Sequence, residues 1–382
     1  MAGNYRERWL VPWTGVALAV ATRRYFSVLF PMLLVPLLLA GCAKPPPAEI
    51  VVGKMGPMLV EPPQKGAYTE GASGPWAAFV VKAAFNSYAR PDEFPADLAF
   101  PKEKVQRELK RFLAARSGAF WIGHATFLIR SNGFTILTDP VFGKSTSPVQ
   151  AIGPKRYAPP ALAVGELPKI DAILISHNHY DHLDIQALKA IAARDSSVSV
   201  LVPKGNERLV VDAGFMRVRG YSAGESVTSG TLEITALPAY HETSRMGLDA
   251  HQTLALGWSI RRLNGGPAIY FAGDTAYGPV FKQIRRNFGP HEYVFVPIGA
   301  YEPREEVRHV HASPEEAATI ASELGARVAI GMHWGTFPLS DEPVMEPAER
   351  FKAAPGPNRI LHIGETIDFA TIPGPRIAQQ NR

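Results

Sequence analysis

Short apolar runs separated by turn residues recur along the chain from residue 118 onward. All but the first are four to seven residues long and rich in branched and aromatic side chains, as is typical of buried β-strands. We predict strands at residues 118–130, 135–138, 172–175, 198–202, 232–237, 254–260, 268–271, 293–297 and 328–331.

Before and between these runs, apolar residues recur at intervals of three or four positions, which predicts amphipathic helices. One helix begins after Ser313, a good N-terminal cap, with Pro314 at its first position. Strands that alternate with helices, without an internal repeat, indicate one α/β domain at about residues 76–370, followed by a tail at 371–382. We predict helices at residues 76–88, 102–115, 185–193, 280–287 and 314–324.

The N-terminal region is organised like an export signal. An apolar run at residues 26–40 follows Arg23 and Arg24 and contains two prolines. Its fifteen residues are short for a membrane-spanning helix, which needs about 20, but suit the hydrophobic region of a signal peptide. The arginine pair also resembles a twin-arginine signal. We expect residues 1–41 to be an export signal peptide, and an uncleaved N-terminal anchor is the alternative.

Cys42 is the single cysteine of the chain, and it directly follows Leu-Ala-Gly. This stretch resembles the bacterial lipobox, in which the cysteine is acylated and becomes the mature N-terminus. The residues that follow are rich in Pro and Gly, as in an extended linker. We therefore expect residues 42–75 to be a lipidated cysteine and a Pro-rich tether. They would hold the protein to a membrane of the bacterial cell envelope, facing the periplasm.

Composition narrows the functional classes. The chain has 382 residues, 46% of them hydrophobic and 20% charged, with 33 Gly and 34 Pro, which indicates a loop-rich globular protein. Four arginines and one glutamate in residues 1–41 supply most of the net charge of +5. No basic stripe with interleaved aromatic residues follows, so we expect no nucleic-acid partner. A single cysteine excludes an internal disulfide framework and a cysteine-ligated zinc finger.

Histidines cluster in the segment His-Asn-His-Tyr-Asp-His at residues 177–182, directly after the apolar run at 172–175. Three imidazoles and a carboxylate within six residues are difficult to bury together without a cation. Neutral imidazole and carboxylate groups are the borderline ligands that Zn²⁺ prefers. The segment therefore predicts a zinc site, with the candidate ligands His177, His179, Asp181 and His182.

Three further candidate ligands also follow predicted strands. His241 comes after the run at 232–237, Asp274 lies in a Gly-Asp-Thr turn after 268–271, and His333 follows 328–331. The carboxyl ends of strands are where sites in α/β proteins converge. Seven ligands are too many for one tetrahedral zinc but suit two that share a carboxylate. We assign one zinc to His177, His179 and His241, the other to Asp181, His182 and His333, and the bridging position to Asp274.

The same residues carry a family resemblance. The histidine segment with its downstream His, Asp and His resembles the signature of the metallo-β-lactamase superfamily. Within it the chain resembles the N-acylphosphatidylethanolamine-hydrolysing phospholipase D family, including bacterial relatives. The matching stretches are WIGHAT (121–126), LTDP (137–140), GPKR (153–156), ISHNHYDHLD (175–184), FAGDT (271–275), PIGAYEPR (297–304) and HWGTF (333–337).

The resemblance implies an αββα sandwich as a single catalytic domain, with a pair of Zn²⁺ ions at the sheet edges. It implies Asp181 and His311 as catalytic residues, His311 as a headgroup contact or a proton donor to the leaving group. Metal-binding imidazoles usually need neighbours that orient them, and we expect His124 and Asp139 to fill that role.

The expected function is hydrolysis of a phosphodiester in a membrane phospholipid. The resemblance implies N-acylphosphatidylethanolamine as the substrate, with phosphatidic acid and an N-acylethanolamine as products. One alternative is a metal-dependent hydrolase of the same fold that acts on a lactone or a soluble phosphodiester. The other is a non-catalytic lipoprotein of the envelope that uses zinc structurally.

Overall fold

The computed structural model describes residues 95, 98–147, 153–245 and 253–371. The predicted signal peptide, Cys42, the tether and the helix predicted at 76–88 lie outside this part of the chain, as does nearly all of the tail. All described residues fall within one compact unit.

The described residues contain fourteen strands and seven α-helices. The strands are β1 (Gly118–Gly123), β2 (Thr126–Ser131), β3 (Phe134–Thr138), β4 (Ala172–Leu174), β5 (Ser199–Pro203), β6 (Arg217–Tyr221), β7 (Ser226–Ser229), β8 (Leu232–Pro238), β9 (Leu256–Arg262), β10 (Ile269–Phe271), β11 (Tyr293–Pro297), β12 (Val328–Met332), β13 (Asn358–Arg359) and β14 (Thr366–Asp368). The helices are α1 (Lys102–Ala114), α2 (Ile185–Arg194), α3 (Glu207–Asp212), α4 (Val280–Phe288), α5 (Arg304–Val307), α6 (Pro314–Leu324) and α7 (Glu346–Ala353).

The strands form two mixed sheets of seven strands each. The first has the order β14-β1-β2-β3-β4-β5-β6, antiparallel from β14 to β3 and parallel from β3 to β6. The second has the order β13-β12-β11-β10-β9-β8-β7, parallel from β13 to β10 and antiparallel from β10 to β7. The strands on which the site depends, β8, β10 and β12, therefore point the same way.

The two sheets face each other across a common apolar core. Phe127 of β2 and Phe295 of β11 meet edge to face, with ring centroids 4.9 Å apart. The indole of Trp258 on β9 donates a hydrogen bond to the carbonyl of Ile175, just after β4, at 3.0 Å. Both strands of the β1–β2 hairpin are almost wholly buried, which explains why β1 lacks an alternation of polar and apolar residues.

Helices cover the outer faces of the two sheets. Helices α1, α2 and α3 bury their apolar sides against the first sheet, where Phe112 of α1 packs on Phe120 of β1. Helix α6 packs on β11 and β12 of the second sheet. Ser313 caps α6 as predicted, because its hydroxyl accepts from the amide of Glu316 while the Glu316 carboxylate accepts from the amide of Ser313. The predicted αββα sandwich is confirmed.

One predicted element differs from the structure. The apolar run at 118–130 was expected as one strand, but it forms β1 and β2, joined by a tight turn at His124 and Ala125. Gly123 and His124 make this reversal with φ angles of 137° and 55°. The prediction was wrong because both strands are buried on both faces, so polarity does not mark the turn. Periodicity also missed the short or partly polar elements β6, β7, β13, β14, α3, α5 and α7.

No helix in the described part of the chain combines the length and the apolar character needed to cross a membrane.

The inter-sheet core should dominate the free energy of unfolding. Phe127 is fully buried between the sheets, and we expect Phe127→Ala to lower the free energy of unfolding by about 3–5 kcal/mol. Leu113, which is 40% exposed on α1, is the control, and Leu113→Ala should cost less than about 1 kcal/mol. Chemical denaturation would measure both. Equal losses in the two variants would contradict this description of the core.

Candidate metal centre

The structure brings all seven predicted ligands together at one edge of the sandwich. The histidine segment follows β4, His241 follows β8, Asp274 follows β10 and His333 follows β12. Side chains separated by more than 150 positions therefore meet because these strands end at the same edge. The turn between β1 and β2 adds His124 to the group.

Three imidazoles form the first cluster. Nδ1 of His179 lies 2.9 Å from Nε2 of His177 and 3.1 Å from Nε2 of His241. One ring nitrogen from each histidine lies within 4.8 Å of the other two, so a single cation could contact all three. We define these residues as the three-histidine cluster.

The second cluster is centred on a carboxylate. Oδ2 of Asp181 lies 3.2 Å from Nε2 of His333 and 3.4 Å from Nε2 of His182. His124 also belongs here, because its Nε2 lies 3.0 Å from the same oxygen. We define Asp181, His182 and His333 as the mixed cluster. His124 was expected to orient an imidazole, but the structure places it against a carboxylate.

Asp274 lies between the two clusters. Its Oδ2 is 3.1 Å from Nε2 of His182 and 3.0 Å from Nε2 of His333. The same oxygen is 3.9 Å from His177 and 3.8 Å from His241. Asp274 thus contacts members of both clusters, as expected for a bridging carboxylate.

Buried acceptors fix the orientation of three imidazoles from behind. Nδ1 of His182 lies 2.8 Å from Oδ2 of Asp139, as expected for Asp139. Nδ1 of His177 lies 2.9 Å from the hydroxyl of Ser176, and Nδ1 of His241 donates to the carbonyl of Val310 at 2.8 Å. Each contact turns Nε2 of the ring toward the cluster, which is how metal-binding histidines are usually held.

Three residues of the site adopt left-handed backbone conformations. The φ angles are 55° at His124, 31° at Asp139 and 62° at His333. For side-chain-bearing residues such conformations cost on the order of 1–3 kcal/mol each and persist where neighbouring contacts fix them. At His124 those contacts are an amide hydrogen bond to the Thr336 hydroxyl at 2.8 Å and a carbonyl that accepts from the Trp121 indole at 2.9 Å.

Burial keeps the imidazoles of the three-histidine cluster neutral. It lowers the pKa of His177 well below its ordinary value and the pKa of His179 to about 3, and it also lowers the pKa of His241. Neutral rings offer a lone pair, which is the form that binds a cation.

In the mixed cluster, neighbouring carboxylates raise the pKa of the imidazoles instead of leaving them neutral. Burial alone would raise the pKa of Asp274, but His182 and His333 hold it well below its ordinary value. Burial alone would lower the pKa of His333, but Asp274 and the hydrogen bond to Asp181 raise it to about 9. The pKa of His182 is raised for the same electrostatic reason. The protons on these two imidazoles therefore offset negative charge on the neighbouring carboxylates of Asp181 and Asp274.

This donor set fits metal cations. Oδ1 of Asp274 is buried and has no hydrogen-bond partner among the described residues, and Nε2 of His182 lies 3.1 Å from Oδ2 of Asp274 without the geometry of a hydrogen bond. Imidazole nitrogen and carboxylate oxygen are the ligands of Zn²⁺, iron and manganese sites. A cation would satisfy these atoms and replace the protons that the carboxylates otherwise attract.

His311 extends the site beyond the seven ligands. Its ring centroid lies 4.9 Å from that of His241 and 5.5 Å from that of His333. Arg304 fixes its position by donating from Nη1 to the His311 carbonyl at 2.6 Å. Burial lowers the pKa of His311 well below its ordinary value, so the ring is neutral near pH 7.

Sequence reasoning missed two residues that support the site. Ser176 precedes the histidine segment, and its hydroxyl contacts both His177 and Asp139. Arg245 donates from Nη1 to the carbonyls of Asn178 and Leu183, both at 2.8 Å, and so ties the loop after His241 to the histidine segment. These contacts join segments that are distant in sequence or that show no recognisable sequence motif. The spacing of residues along the chain therefore could not indicate them.

The chain is similar to a known protein family and to known proteins over the region that contains the site. A family model described as "Beta-lactamase superfamily domain" matches residues 135–334, a range that includes all seven candidate ligands. The N-acyl-phosphatidylethanolamine-hydrolyzing phospholipase D 1 of Caenorhabditis elegans is 37% identical over 251 residues, which covers 62% of this chain and 70% of the relative. The mitochondrial N-acyl-phosphatidylethanolamine-hydrolyzing phospholipase D of Saccharomyces cerevisiae is 34% identical over 238 residues, which covers 61% of this chain and 50% of the relative.

A solved structure supports the fold. The isothiocyanate hydrolase from Delia radicum gut bacteria superposes with a TM-score of 0.54 and 18% identity, covering 66% of this chain and 99% of that protein.

The two protonated imidazoles give the metal-free protein a specific pH dependence. Between pH 6.5, the ordinary pKa, and about 9, folded His333 keeps a proton that the unfolded chain has lost. This contribution is fully present below pH 6.5 and is lost as the pH rises through 9. We expect the free energy of unfolding of chelated protein to fall in this window by up to about 1.4 kcal/mol per pH unit for each such imidazole.

Denaturant unfolding in chelator across pH 6.5–9.5 would measure this decline. Zinc-loaded protein is the control, because a cation then occupies the place of the protons and the decline should disappear. A flat profile in the chelated protein would contradict the assigned charge states.

Proposed function

Because this chain belongs to the metallo-β-lactamase superfamily and is a metal-dependent hydrolase, we propose that it cleaves a phosphodiester in a membrane phospholipid. The proposed substrate is N-acylphosphatidylethanolamine, and the products are phosphatidic acid and an N-acylethanolamine. The observation that carries the proposal is the pair of ligand clusters joined by Asp274. The substrate class rests on the 37% identity to the Caenorhabditis elegans enzyme named for this reaction.

We propose that the site takes two Zn²⁺ ions, which the residues of the three-histidine cluster, those of the mixed cluster and Asp274 would hold. When bound, such a pair supplies Lewis acidity to a phosphoryl oxygen and makes water acidic enough to attack near neutral pH. Asp139, Ser176 and Val310 hold the imidazoles with Nε2 directed into the clusters. His124 holds the Asp181 carboxylate by hydrogen bonding to Oδ2.

The reaction transfers the phosphoryl group to water. The oxygen of water forms a new bond to phosphorus, and the bond from phosphorus to the ethanolamine oxygen breaks. The departing oxygen takes up a proton, and the other proton of water is released. His311 lies beside His241 and His333, and its neutral ring can hydrogen-bond to an oxygen of the headgroup at this point. We assign to it the contact with the leaving group.

Isotope labelling distinguishes this reaction from other lipid cleavages. In H₂¹⁸O we expect one ¹⁸O atom in the phosphate of phosphatidic acid and none in the N-acylethanolamine, measured by mass spectrometry. His179→Ala should lower turnover by at least about 100-fold, because it removes an imidazole from the three-histidine cluster. His362→Ala, on a half-exposed histidine outside the site, is the control and should retain wild-type turnover.

Metal removal supplies the second arm of this experiment. Chelation should abolish phosphatidic acid release and Zn²⁺ should restore it, with elemental analysis on the same samples. Turnover of lactones or soluble phosphodiesters without phosphatidic acid release would replace the phospholipase proposal with another hydrolase activity. Zinc-loaded protein that hydrolyses nothing but binds a component of the envelope would favour a binding lipoprotein.

We also propose that the protein is a lipoprotein anchored to the bacterial cell envelope through Cys42. The support is the sequence alone: an apolar run of signal-peptide length that ends at the single cysteine. Lipid chains at this position would place the enzyme at the surface that contains its substrate.

Lipidation is tested in a bacterial host that processes lipoproteins. Wild-type protein should incorporate labelled palmitate and have a mature N-terminus at residue 42 by mass spectrometry. Cys42→Ser should incorporate none, because serine lacks the thiol that receives the lipid. Unlabelled wild-type protein that retains residues 1–41 would contradict the proposal and favour an uncleaved anchor.

A further inference from the structure

A single buried carboxylate contacts the supports of both ligand clusters. Oδ2 of Asp139 lies 2.6 Å from the hydroxyl of Ser176 and 2.8 Å from Nδ1 of His182. Its other oxygen, Oδ1, accepts from the amide of Ser176 at 2.7 Å. The Ser176 hydroxyl in turn lies 2.9 Å from Nδ1 of His177, and its contact with Nδ1 of His182 is much longer at 3.5 Å. Asp139, Ser176, His177 and His182 are all fully buried.

Counting protons gives each of these contacts a direction. The Ser176 hydroxyl has one proton, and its shortest contact is with Oδ2 of Asp139, so it donates to that carboxylate. The hydroxyl oxygen can then only accept from His177, which places a proton on Nδ1 of His177. His182 likewise donates from Nδ1 to Asp139. Both rings therefore direct Nε2 into the clusters, where it could bind a cation.

We infer that Ser176 is a positioning residue that couples the two metal sites through Asp139. One carboxylate orients His182 of the mixed cluster directly and His177 of the three-histidine cluster through the serine hydroxyl. A change at Asp139 should then affect both sites, and a change at Ser176 should affect mainly the three-histidine cluster. The inference rests on the two-metal part of the proposed function and is independent of the substrate.

The packing around Ser176 supports this role. Gly273, next to Asp274, has a φ angle of 60°, and a Cβ atom there would lie 2.4 Å from Cβ of Ser176. The turn that carries the bridging carboxylate is therefore in close contact with the serine. Because Ser176 is fully buried, its loss would leave the Nδ1 proton of His177 without its acceptor, which is costly.

Metal affinity, rather than activity, is the readout. Zn²⁺ dissociation constants are measured for the full chain by chelator competition, and the constant lost in His241→Ala is assigned to the three-histidine cluster. We expect Ser176→Ala to raise the zinc dissociation constant of the three-histidine cluster by about 10-fold and to change that of the mixed cluster by less than about twofold. Asp139→Asn should raise both dissociation constants by about 10-fold or more. When Ser176→Ala is added to Asp139→Asn, the further rise in the dissociation constant should be much smaller than the rise that Ser176→Ala causes in wild type.

Thr138→Val is the matched control. Thr138 is fully buried next to Asp139, and among the described residues its hydroxyl hydrogen-bonds to the backbone of Ala125 and Phe127. This variant also deletes a buried hydroxyl, so the change in its free energy of unfolding measures what that deletion costs in stability. Both zinc dissociation constants should stay at wild-type values. A merely structural role for Ser176 would make the two variants alike in zinc affinity.

Four outcomes would overturn the inference. The first is that Ser176→Ala leaves both zinc dissociation constants unchanged, and the second is that Ser176→Ala has as large an effect in the Asp139→Asn background as in wild type. The third is that Thr138→Val reduces zinc affinity as much as Ser176→Ala does. The fourth is that the wild-type protein binds only one zinc ion. If Ser176→Ala does not fold, Asp139→Asn carries the test, and loss confined to the mixed cluster overturns the coupling. Protein that binds two ions as described but hydrolyses no phospholipid would leave the inference standing and remove the proposed substrate.

Discussion

The charge balance of one buried group of imidazoles and carboxylates determines how the rest of the site is built. Asp181 and Asp274 lie next to His182 and His333, and their mutual attraction lowers the pKa of both carboxylates and raises the pKa of both imidazoles. In the absence of a cation, protons on the two imidazoles supply positive charge beside the carboxylates. The neutral rings of His177, His179 and His241 offer only lone pairs. Such an arrangement is costly to bury unless cations compensate it.

The sandwich fold brings these side chains together because it holds the ends of several strands at one edge. Strands β8, β10 and β12 run in one direction, so the turns that follow them bring His241, Asp274 and His333 to the same edge as the histidine segment after β4. Left-handed backbone conformations at His124 and His333 then aim two side chains at Asp181. The scaffold therefore holds the ligand atoms in place through backbone hydrogen bonds and buried supports rather than through the ligands themselves.

The sequence predicted the parts of this arrangement that have a local pattern. The histidine segment, the Gly-Asp-Thr turn at Asp274 and the apolar strands before them were sufficient to predict the fold class and to select seven residues that the structure brings together. The sequence could not show that Ser176 contacts Asp139 and His177, since that contact depends on the pairing of β3 with β4. It also did not separate β1 from β2, because both strands are buried and the turn at His124 lacks polar residues other than the histidine itself.

Anomalous X-ray scattering at the zinc absorption edge, from crystals of the zinc-loaded protein, would show whether these side chains hold two cations. We expect two peaks about 3.5–4 Å apart, one among His177, His179 and His241 and one among Asp181, His182 and His333, with Asp274 between them. A single peak, or peaks at other residues while this edge of the sandwich has none, would contradict this expectation.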